Sequence, residues 1–305
     1  MTTRLTLIHA MSPLHAGTGQ SVGAIDLPIA RERPTGVPLL PGSSIKGALR
    51  ALSSDAHKDV QITRDVFGPE TDKSSEHAGS VQFSDAHVLL LPVRSVRGTF
   101  AWVTSPYLIR RFARGAREAR VDLSKLPGSP AEMKRCLVLG DSLTIATSEG
   151  NKVVFEDLDF TVESSSDEAL RTFAERLGEL LFPDGSADFA EWRRSLADRI
   201  CLVHDDIMSF LLDTATEVTA HIRLSPDTKT VERGALWYQE SLPAESVLAG
   251  ITVAANVEAA NGRSKRSAEA LLDHVATLTA SLVQLGGKAT VGQGTCFVRI
   301  AGGQS

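Results

Sequence analysis

This chain of 305 residues lacks most of the features that assign a protein to a functional class directly. Its three cysteines, Cys136, Cys201 and Cys296, are too few and too far apart for a disulfide framework or a zinc knuckle, so we expect a reducing cytoplasm. No apolar run reaches the roughly 18 residues of a membrane span, and no membrane partner is expected. The N-terminus lacks the basic head and long apolar core of a signal peptide. A Gly-Lys-Ser/Thr phosphate loop and a paired-histidine metal motif are absent as well.

Charges of one sign are scarce in two stretches of the chain. The net charge is −5, with 42% hydrophobic and 23% charged residues, which is typical of a soluble globular protein. Between Arg94 and Arg120, however, seven arginines are accompanied by a single acid, Glu118. Between Phe155 and Glu191, eleven acids are accompanied by two arginines. We therefore expect one region suited to phosphates and another suited to solvent or to a basic partner surface.

Hydrophobic periodicity and turn residues predict a single α+β domain over residues 1–305. A ferredoxin-like core is expected at about 1–120 and 244–305, with a helical insertion at about 121–215 and a projecting β-hairpin at about 217–243. Strands are predicted over 4–11, 81–93, 100–104, 153–162 and 246–257, and a last one after Gly292 and Gly294. Helices are predicted after a Ser43 or Ser44 cap, from Pro106 to about Arg120, from a Ser165 cap with Glu168 at capping-box spacing to about Leu181, and over 188–199, 205–213 and 267–285. Gly286 and Gly287 would cap the last helix, and 53–78 is predicted to be an irregular loop.

The stretch from His15 to Arg50 contains the strongest candidate site and reads HAGTGQSVGAIDLPIARERPTGVPLLPGSSIKGALR. Gly17 and Gly19 would let backbone approach a polyanion closely, although glycines at such positions often form only tight turns. The helix that begins near Ser43 and Ser44 could hold a phosphate at its N-terminus.

Lys46 and Arg50 lie four residues apart on that predicted helix and so share one of its faces. Alone, such a pair is most often a solvated surface. Next to a phosphate-binding loop, it would contribute positive charge.

Asp26 and His15 are the two candidate reactive groups. Asp26 lies between Ile25 and Leu27, where it could be a strand-edge acid satisfied by backbone donors. In a phosphate-lined groove it could instead bind a metal ion or orient an attacking hydroxyl. His15 could act as a general acid or base, or be a hydrogen-bonded structural residue.

Two further features favour contact with nucleic acid. Arg110, Arg111, Arg114, Arg117 and Arg120 form one continuous helix face without interleaved acids, which favours RNA or an acidic protein surface. Gly286, Gly287, Gly292 and Gly294 could form a helix cap and a bulge, or could let nucleic acid lie against the backbone.

Several blocks, spread in order over nearly the whole chain, resemble the RAMP superfamily of RNA-binding proteins with ferredoxin-like folds. The blocks are the His15–Arg50 stretch, AGSVQFSDAHVLLLPVRSVRGTFAWVTSP, TKTVERGALWYQESLP and LGGKATVGQG. More narrowly, they resemble the filament-forming backbone subunit of the type III-B (Cmr) CRISPR effector complex. The region 120–215 contributes little to this resemblance.

The resemblance implies a specific function. Copies of the chain would stack on a guide crRNA, together with other subunits of the type III-B complex, and would cleave complementary target RNA in antiviral defence. The hairpin at about 217–243 would be the thumb that inserts between bases. Asp26 would be the catalytic acid and the ligand of a divalent metal, Mg²⁺ or Mn²⁺, with the RNA 2′-hydroxyl as nucleophile.

His15 falls within a matching block, as do the residues that we expect to contact RNA. These are Gly17, Gly19, Ser43, Ser44, Lys46, Arg50, Arg94, Lys229, Thr230, Tyr238, Gly286, Gly287, Gly292 and Gly294. The chain departs from the family pattern at Gln239, where related chains more often have an acid after the tyrosine, and this leaves the role of Glu240 open.

Two alternative functions remain. The chain could be a purely structural guide-binding subunit in which Asp26 only shapes its loop. It could also be a metal-independent RAMP nuclease that processes guides with His15.

Overall fold

The described part of the chain forms one twelve-stranded sheet with helices on both faces, and a separate two-stranded hairpin. This computed structural model describes residues 1–19, 25–56, 60–70, 77–123, 125–139, 145–147, 152–163, 168–183, 187–259 and 265–302. Within these ranges, no helix is long and apolar enough to cross a membrane.

The strands and helices have the following bounds. The strands are β1 (Thr2–Ala10), β2 (Leu39–Leu40), β3 (Val81–Phe83), β4 (Ala86–Arg94), β5 (Phe100–Thr104), β6 (Arg135–Val138), β7 (Lys152–Phe155), β8 (Leu158–Val162), β9 (Ile200–Leu202), β10 (Glu217–Leu224), β11 (Val231–Ser241), β12 (Val247–Ala254), β13 (Val283–Gln284) and β14 (Thr295–Ala301). The helices are α1 (Gly42–Ala56), α2 (Val60–Phe67), α3 (Pro106–Glu118), α4 (Glu168–Leu181), α5 (Ala187–Arg199), α6 (Asp205–Thr214) and α7 (Ala268–Leu278).

The sheet is centred on antiparallel strands. Its order is β13-β14-β1-β12-β4-β5-β9-β6-β8-β7, with β2 added to β4 and β3 added to β12. The pairs β14–β1, β1–β12 and β12–β4 are antiparallel, and the pair β5–β9 is parallel. Side chains on the central strands, such as Leu7, Ile8, Leu248 and Val298, are fully buried because helices cover both faces.

Neighbouring residues of β1 show which helices cover each face. Arg4 donates to Asp273 of α7 at 2.7 Å. The next residue, Leu5, lies under α3, because a β-carbon placed on Gly115 of that helix would be 3.7 Å from Leu5 Cδ2. Successive side chains of a strand point to opposite faces. Helix α7, with α1 packed beside it, therefore covers one face, and α3 covers the other.

Several expected elements are confirmed. The predicted strands at 81–93 and 153–162 form β3–β4 and β7–β8, each with a short break, and the predicted hairpin forms β10 and β11. Helix α3 begins at Pro106, although the Ser105 side chain makes no capping hydrogen bond. The proposed Ser165 cap lies outside the described residues.

The prediction of an irregular loop over 53–78 was wrong. This segment contains the end of α1 and all of α2. The buried faces of these helices carry polar groups that satisfy one another: Ser53 and Thr63 share a hydrogen bond of 2.7 Å, and fully buried Asp65 accepts from Arg266 at 3.0 Å. Apolar periodicity is therefore weak there, although the helices are packed into the protein.

Two predicted helix boundaries also need correction. Helix α7 ends at Leu278 rather than near 285, and Val283–Gln284 form a short strand, so Gly286 and Gly287 follow a strand and cap no helix.

Helix α1 starts at Gly42, and neither Ser43 nor Ser44 is its cap. The Gly42 N–H donates to Asp85 Oδ1 at 2.8 Å, so a carboxylate from a distant segment occupies the helix N-terminus where a phosphate was expected.

The segment 121–215 is mixed rather than helical. Strands β6 to β8 come first, helices α4 and α5 precede β9, and α6 follows it. The four strands extend the main sheet beyond β5. Short apolar runs such as Arg135–Val138 give too little sequence for a periodicity to be recognised.

Helix α3 is tied to the segment before β2 by a paired charge. Arg111 donates to both carboxylate oxygens of Glu32, at 2.7 and 2.9 Å, and to Nε2 of His87 at 2.8 Å. The donation from Arg111, followed by that from Thr35, lowers the pKa of Glu32 to about 2. Burial and the adjacent guanidinium lower the pKa of His87, so its imidazole accepts the third hydrogen bond in its neutral form.

We predict that Glu32→Gln destabilises the protein by about 1–3 kcal/mol at neutral pH, since a charge-assisted pair is lost. The folded-state pKa of Glu32 lies below its ordinary value of 4.5, so this stabilisation is fully present above that value and is lost as the pH falls towards about 2. Urea unfolding at neutral and at acidic pH measures the effect. The control is Glu118→Gln, which removes an exposed carboxylate from α3, the helix that carries Arg111. Equal effects of the two variants would contradict the prediction.

Candidate nucleic-acid interface

A groove of about 690 Å³ lies between the start of α1, the loop after β1 and the loop after β13. Its lining includes six residues singled out from the sequence: His15, Gly17, Gly19, Ser44, Gly286 and Gly287. Three parts of the chain that are distant in sequence therefore meet at one concave surface. Lys288, which sequence reasoning did not single out, also lines the groove and brings an ammonium group to it.

The glycines let backbone pack against backbone along one side of this groove. A β-carbon at Gly286, where φ is +72°, would lie 2.5 Å from the His15 carbonyl oxygen, and the Gly287 N–H donates to that oxygen at 2.9 Å. Gly294, at φ +80°, donates its N–H to the Pro13 carbonyl at 2.8 Å. The glycine-rich loop thus fixes the segment 13–15, and this contact accounts for Gly286 and Gly294 without any ligand.

Asp26 lies on an exposed turn that is attached to the base of the hairpin. Its Oδ2 accepts the backbone N–H of Tyr238 at 2.8 Å. Next to it, the Leu27 N–H donates to the Tyr238 carbonyl at 3.0 Å, and the Glu240 N–H donates to the Leu27 carbonyl at 2.9 Å. These three bonds add the Asp26 turn to β11 and leave the carboxylate at the surface.

His15 is attached to the same strand. Its side chain is 6% exposed, and Nδ1 lies 2.7 Å from the Glu240 carbonyl oxygen. Since a carbonyl only accepts, Nδ1 carries the proton. Nε2 is directed at Gly17, where a β-carbon would lie 2.6 Å away. Asp26 and His15 are thus fixed to positions 238 and 240 of β11, about 7 Å apart along that strand.

Glu240 is the buried acid that organises this region. Its side chain accepts from Arg31, from the Ile29 N–H at 3.1 Å and from Thr216 at 3.0 Å, and the residue is 3% exposed. Because both oxygens are engaged, Glu240 holds the Asp26 turn in place and does not reach a substrate. Arg31 was missed by sequence reasoning, and its only signal was the unexplained Arg-Glu-Arg run at 31–33.

The hydrogen bonds of Gln239 explain why position 239 holds a glutamine and not an acid. It is 1% exposed and donates from Nε2 to Gln293 Oε1 at 2.7 Å. A carboxylate at this position could not donate that hydrogen bond. Gln239 therefore joins β11 to the glycine-rich loop, where an acid would leave the Gln293 oxygen without this donor.

The remaining candidate RNA contacts lie outside the groove. Ser44, Gly47 and Ala48 line it, so Lys46 and Arg50 lie on the far side of α1, where Arg50 donates to the Pro69 carbonyl at 2.8 Å. Five others are exposed and do not line the groove: Ser43, Arg94, Gly292, and Lys229 and Thr230 at the tip of the hairpin.

The hairpin carries an exposed apolar face. Cross-strand neighbours Leu224 and Val231, Ile222 and Leu236, and Ala220 and Tyr238 lie on the same side. The large members of these pairs are 41–53% exposed. A surface of this kind on a two-stranded projection indicates contact with another molecule.

Asp26 is the candidate ligand for a divalent ion in this region. The described residues contain no group of three or more His, Cys, Asp or Glu side chains that could hold a metal. Among the described residues, one carboxylate oxygen of Asp26 has no protein partner. Mg²⁺ commonly binds one or two carboxylates and completes its shell with phosphates and waters, so Asp26 fits as the protein ligand of an ion that RNA helps to hold.

The chain is similar in sequence to several known proteins. The family model of the RAMP superfamily matches residues 7–297. The CRISPR system Cmr endoribonuclease Cmr4 of Pyrococcus furiosus is 31% identical over 304 residues, covering 98% of this chain and 95% of that protein. The CRISPR system CMR subunit Cmr4 of Saccharolobus solfataricus is 25% identical, with coverage of 96% and 94%.

Solved structures give the same result for the fold. The crystal structure of oligomeric Cmr4 from Pyrococcus furiosus has a TM-score of 0.74 at 25% identity and covers 100% of both chains. A chain of the type III-B Cmr-beta complex bound to cognate target RNA has a TM-score of 0.71 at 21% identity, covering 98% of this chain and 97% of that one. The matched region, the identity and the shared mixed fold together show that this chain belongs to the RAMP superfamily and, within it, to the Cmr4 family.

Proposed function

We propose that this chain is the backbone subunit of a type III-B CRISPR effector in the cytoplasm. It binds guide crRNA, assembles with further copies of itself and with other subunits, and cleaves complementary target RNA at regular intervals. The observation that carries this proposal is the exposed Asp26 carboxylate, which β11 holds at the base of an apolar hairpin beside the groove.

A ferredoxin-like core is part of the proposal. The elements β1, α1, β4, β12, α7 and β14 follow one another in a βαββαβ order, and their strands lie in the sheet as β14-β1-β12-β4. That arrangement supports a palm at about 1–120 and 244–305, with the hairpin at about 217–243 as thumb. The segment 121–215 is then the insertion.

Guide RNA would lie in the groove lined by His15, Gly17, Ser44, Gly287 and Lys288. Gly17 and Gly19 would let phosphate oxygens approach the backbone closely, and the Ser44 hydroxyl and Lys288 ammonium add donors. Lys288 adopts a left-handed backbone with φ +67°, a strained conformation for a residue other than glycine, which supports a binding role.

Cleavage would be an in-line displacement within the target RNA. The 2′-oxygen beside a splayed base attacks the adjacent phosphorus, the bond from phosphorus to the 5′-oxygen breaks, and a 2′,3′-cyclic phosphate and a 5′-hydroxyl result. Asp26 would orient the 2′-hydroxyl and accept its proton, and a water molecule would give a proton to the leaving 5′-oxygen. A divalent ion held by Asp26 and RNA phosphates would offset the charge that develops on the phosphate. His15 would position the Asp26 turn through the Glu240 carbonyl.

The thumb would open the guide–target duplex. Ile222, Leu236 and Tyr238 present apolar side chains on a projection that ends in the polar Lys229 and Thr230. Apolar wedges of this kind unstack neighbouring bases. The unstacked nucleotide would lie next to Asp26, because Tyr238 and Asp26 are hydrogen-bonded to each other.

Substitution of Asp26 separates catalysis from loop shape. Asp26→Asn keeps an oxygen that can accept the Tyr238 N–H but removes the charge, whereas Asp26→Ala removes both. We predict that guide-loaded complexes of both variants assemble normally and cleave target RNA at least 100-fold more slowly, as loss of a general base typically costs 10²–10⁴-fold.

Assembly by size-exclusion chromatography and cleavage of a labelled target provide the two readouts. Normal cleavage by Asp26→Asn together with impaired cleavage by Asp26→Ala would favour the alternative in which Asp26 only shapes its loop. Asp206→Asn, an exposed acid on α6, is the matched control and is expected to leave cleavage unchanged.

Metal removal tests the proposed ion. We predict that EDTA abolishes target cleavage and that added Mg²⁺ or Mn²⁺ restores it. The Asp26 carboxylate is itself an anion, so a cation is needed to offset the negative charge that develops on the phosphate. Guide and target binding in EDTA, followed by gel shift, is the control. Cleavage that continues in EDTA and is lost in His15→Ala would instead support the metal-independent nuclease.

The apolar face of the thumb provides a further prediction. The double variant Ile222→Ser/Leu236→Ser removes one exposed cross-strand pair without touching Asp26. We expect guide binding to persist and the cleavage rate to fall roughly tenfold or more, because unstacking a base step costs about a few kcal/mol, which the apolar wedge would no longer offset. The control is Thr219→Ser on the opposite face, and equal rates for the two variants would contradict the thumb role.

A further inference from the structure

We propose that α3 and the turn after it form a second RNA-binding surface, distinct from the groove beside Asp26, which holds single-stranded RNA outside the guide-paired segment. The surface consists of Arg110, Arg114, Arg117 and Arg120 and is called here the arginine surface. The inference rests on the proposed function, because that function brings target RNA to the chain.

Helix α3 separates its residues sharply by burial. Leu108, Ile109, Phe112 and Ala116 are at most 5% exposed and pack onto the sheet. The four arginines lie on the outer side and are exposed. Arg111, the fifth arginine of the predicted face, points elsewhere and is neutralised by Glu32, so it does not belong to this surface.

Few acids balance the arginine surface: Glu118 and Asp122 lie beside it, but among the described residues neither is paired with one of its arginines. Arg110 is 3.5 Å from Asp205, a contact too long to contribute much, and the described residues provide no hydrogen bond or ion pair to the side chains of Arg114, Arg117 and Arg120. Like charges three or four residues apart on a helix repel one another. An anion that covers this surface would relieve the repulsion.

The backbone at Arg120 is a second, independent sign of function. The residue adopts φ +57° in the turn that ends the helix, where glycine is strongly preferred. The Val121 N–H donates back to the Ala116 carbonyl at 2.8 Å and closes the turn. An arginine therefore occupies a position where the turn favours glycine, and it adds a guanidinium to the surface.

Grooves flank the helix on both sides. One, of about 520 Å³, is lined by the four arginines, by Asp122, and by apolar Ala113, Val121, Leu123 and Leu126. The other, of about 620 Å³, includes Arg114 and Gly115 together with Leu5 and Ile251 of the sheet. Arg114 lines both grooves. The charges therefore border concave, partly apolar surfaces rather than a convex solvated helix.

This combination suits single-stranded RNA. A guanidinium binds a phosphate through two parallel hydrogen bonds and also stacks on an unpaired base. The apolar floors provide contacts for bases that are not paired to the guide. An acidic protein surface would satisfy the charges but would supply few flat apolar groups for the two grooves.

A short chain segment links the proposed cleavage site to α3. Glu32, which binds Arg111, lies six residues after Asp26, so the α-carbons of Asp26 and Glu32 are at most about 21 Å apart. Arg114 follows Arg111 by one turn of α3. RNA that leaves the Asp26 site would therefore have to extend past Glu32 and Arg111 to reach the arginine surface.

The test uses the assembled, guide-loaded complex and the double variant Arg114→Gln/Arg117→Gln, since glutamine preserves helix propensity. Fluorescein-labelled targets are compared by anisotropy: one flush with the guide, and others with a single-stranded extension at the 5′ or the 3′ end. We expect the variant to bind one extended target roughly tenfold more weakly than the wild type. The slope of log K against log salt should become shallower by about 0.7 for each phosphate that the variant no longer neutralises.

The matched control is Arg171→Gln/Arg194→Gln, which removes two exposed helix arginines from α4 and α5, and it should bind every target as the wild type does. Cleavage of the flush target should stay unchanged in both variants, so this readout tests the proposed function separately. Equal binding of extended targets by Arg114→Gln/Arg117→Gln and wild type would overturn the proposal. Loss of a subunit from the complex with unchanged RNA affinity would overturn it in favour of a protein interface.

Discussion

The arrangement of the site depends on one buried carboxylate. Glu240 accepts hydrogen bonds from Arg31, Thr216 and the Ile29 backbone, while its own backbone N–H and carbonyl hold Leu27 and His15. Removing one partner of a buried ion pair typically destabilises a protein by about 3–5 kcal/mol. This single residue therefore joins the Asp26 turn, the His15 loop and the base of the hairpin.

These contacts leave Asp26, and not Glu240, as the proposed acid for RNA cleavage. Glu240 is saturated by protein donors and is buried, whereas Asp26 gives one oxygen to the Tyr238 N–H and is exposed. Because Asp26 and the thumb are both fixed to β11 of the same chain, each copy carries a whole candidate site. The glycine-rich loop contributes through close backbone contact with residues 13–15, and the proposed catalytic group, Asp26, lies outside this loop.

Much of the fold could be predicted from sequence, because β1, β4, α3 and the hairpin have clear periodicity or turn residues. Helix α2 was missed because its buried Thr63 and Asp65 find polar partners, and α7 was made too long because apolar residues continue into β13. The site could be predicted only as a region. The pairing of Leu27 with β11 joins residues more than two hundred positions apart. Arg111 was predicted to lie on a face that contacts RNA or an acidic protein surface, whereas it is paired with Glu32 inside the chain.

The most direct test of this account is the fragment ladder of an end-labelled target RNA cut by the assembled complex. If every copy carries its own Asp26 and thumb, the products differ by a constant number of nucleotides, and the number of cuts rises with the number of copies along the guide. A single cut, or cuts without regular spacing, would contradict the claim that each chain holds a complete site.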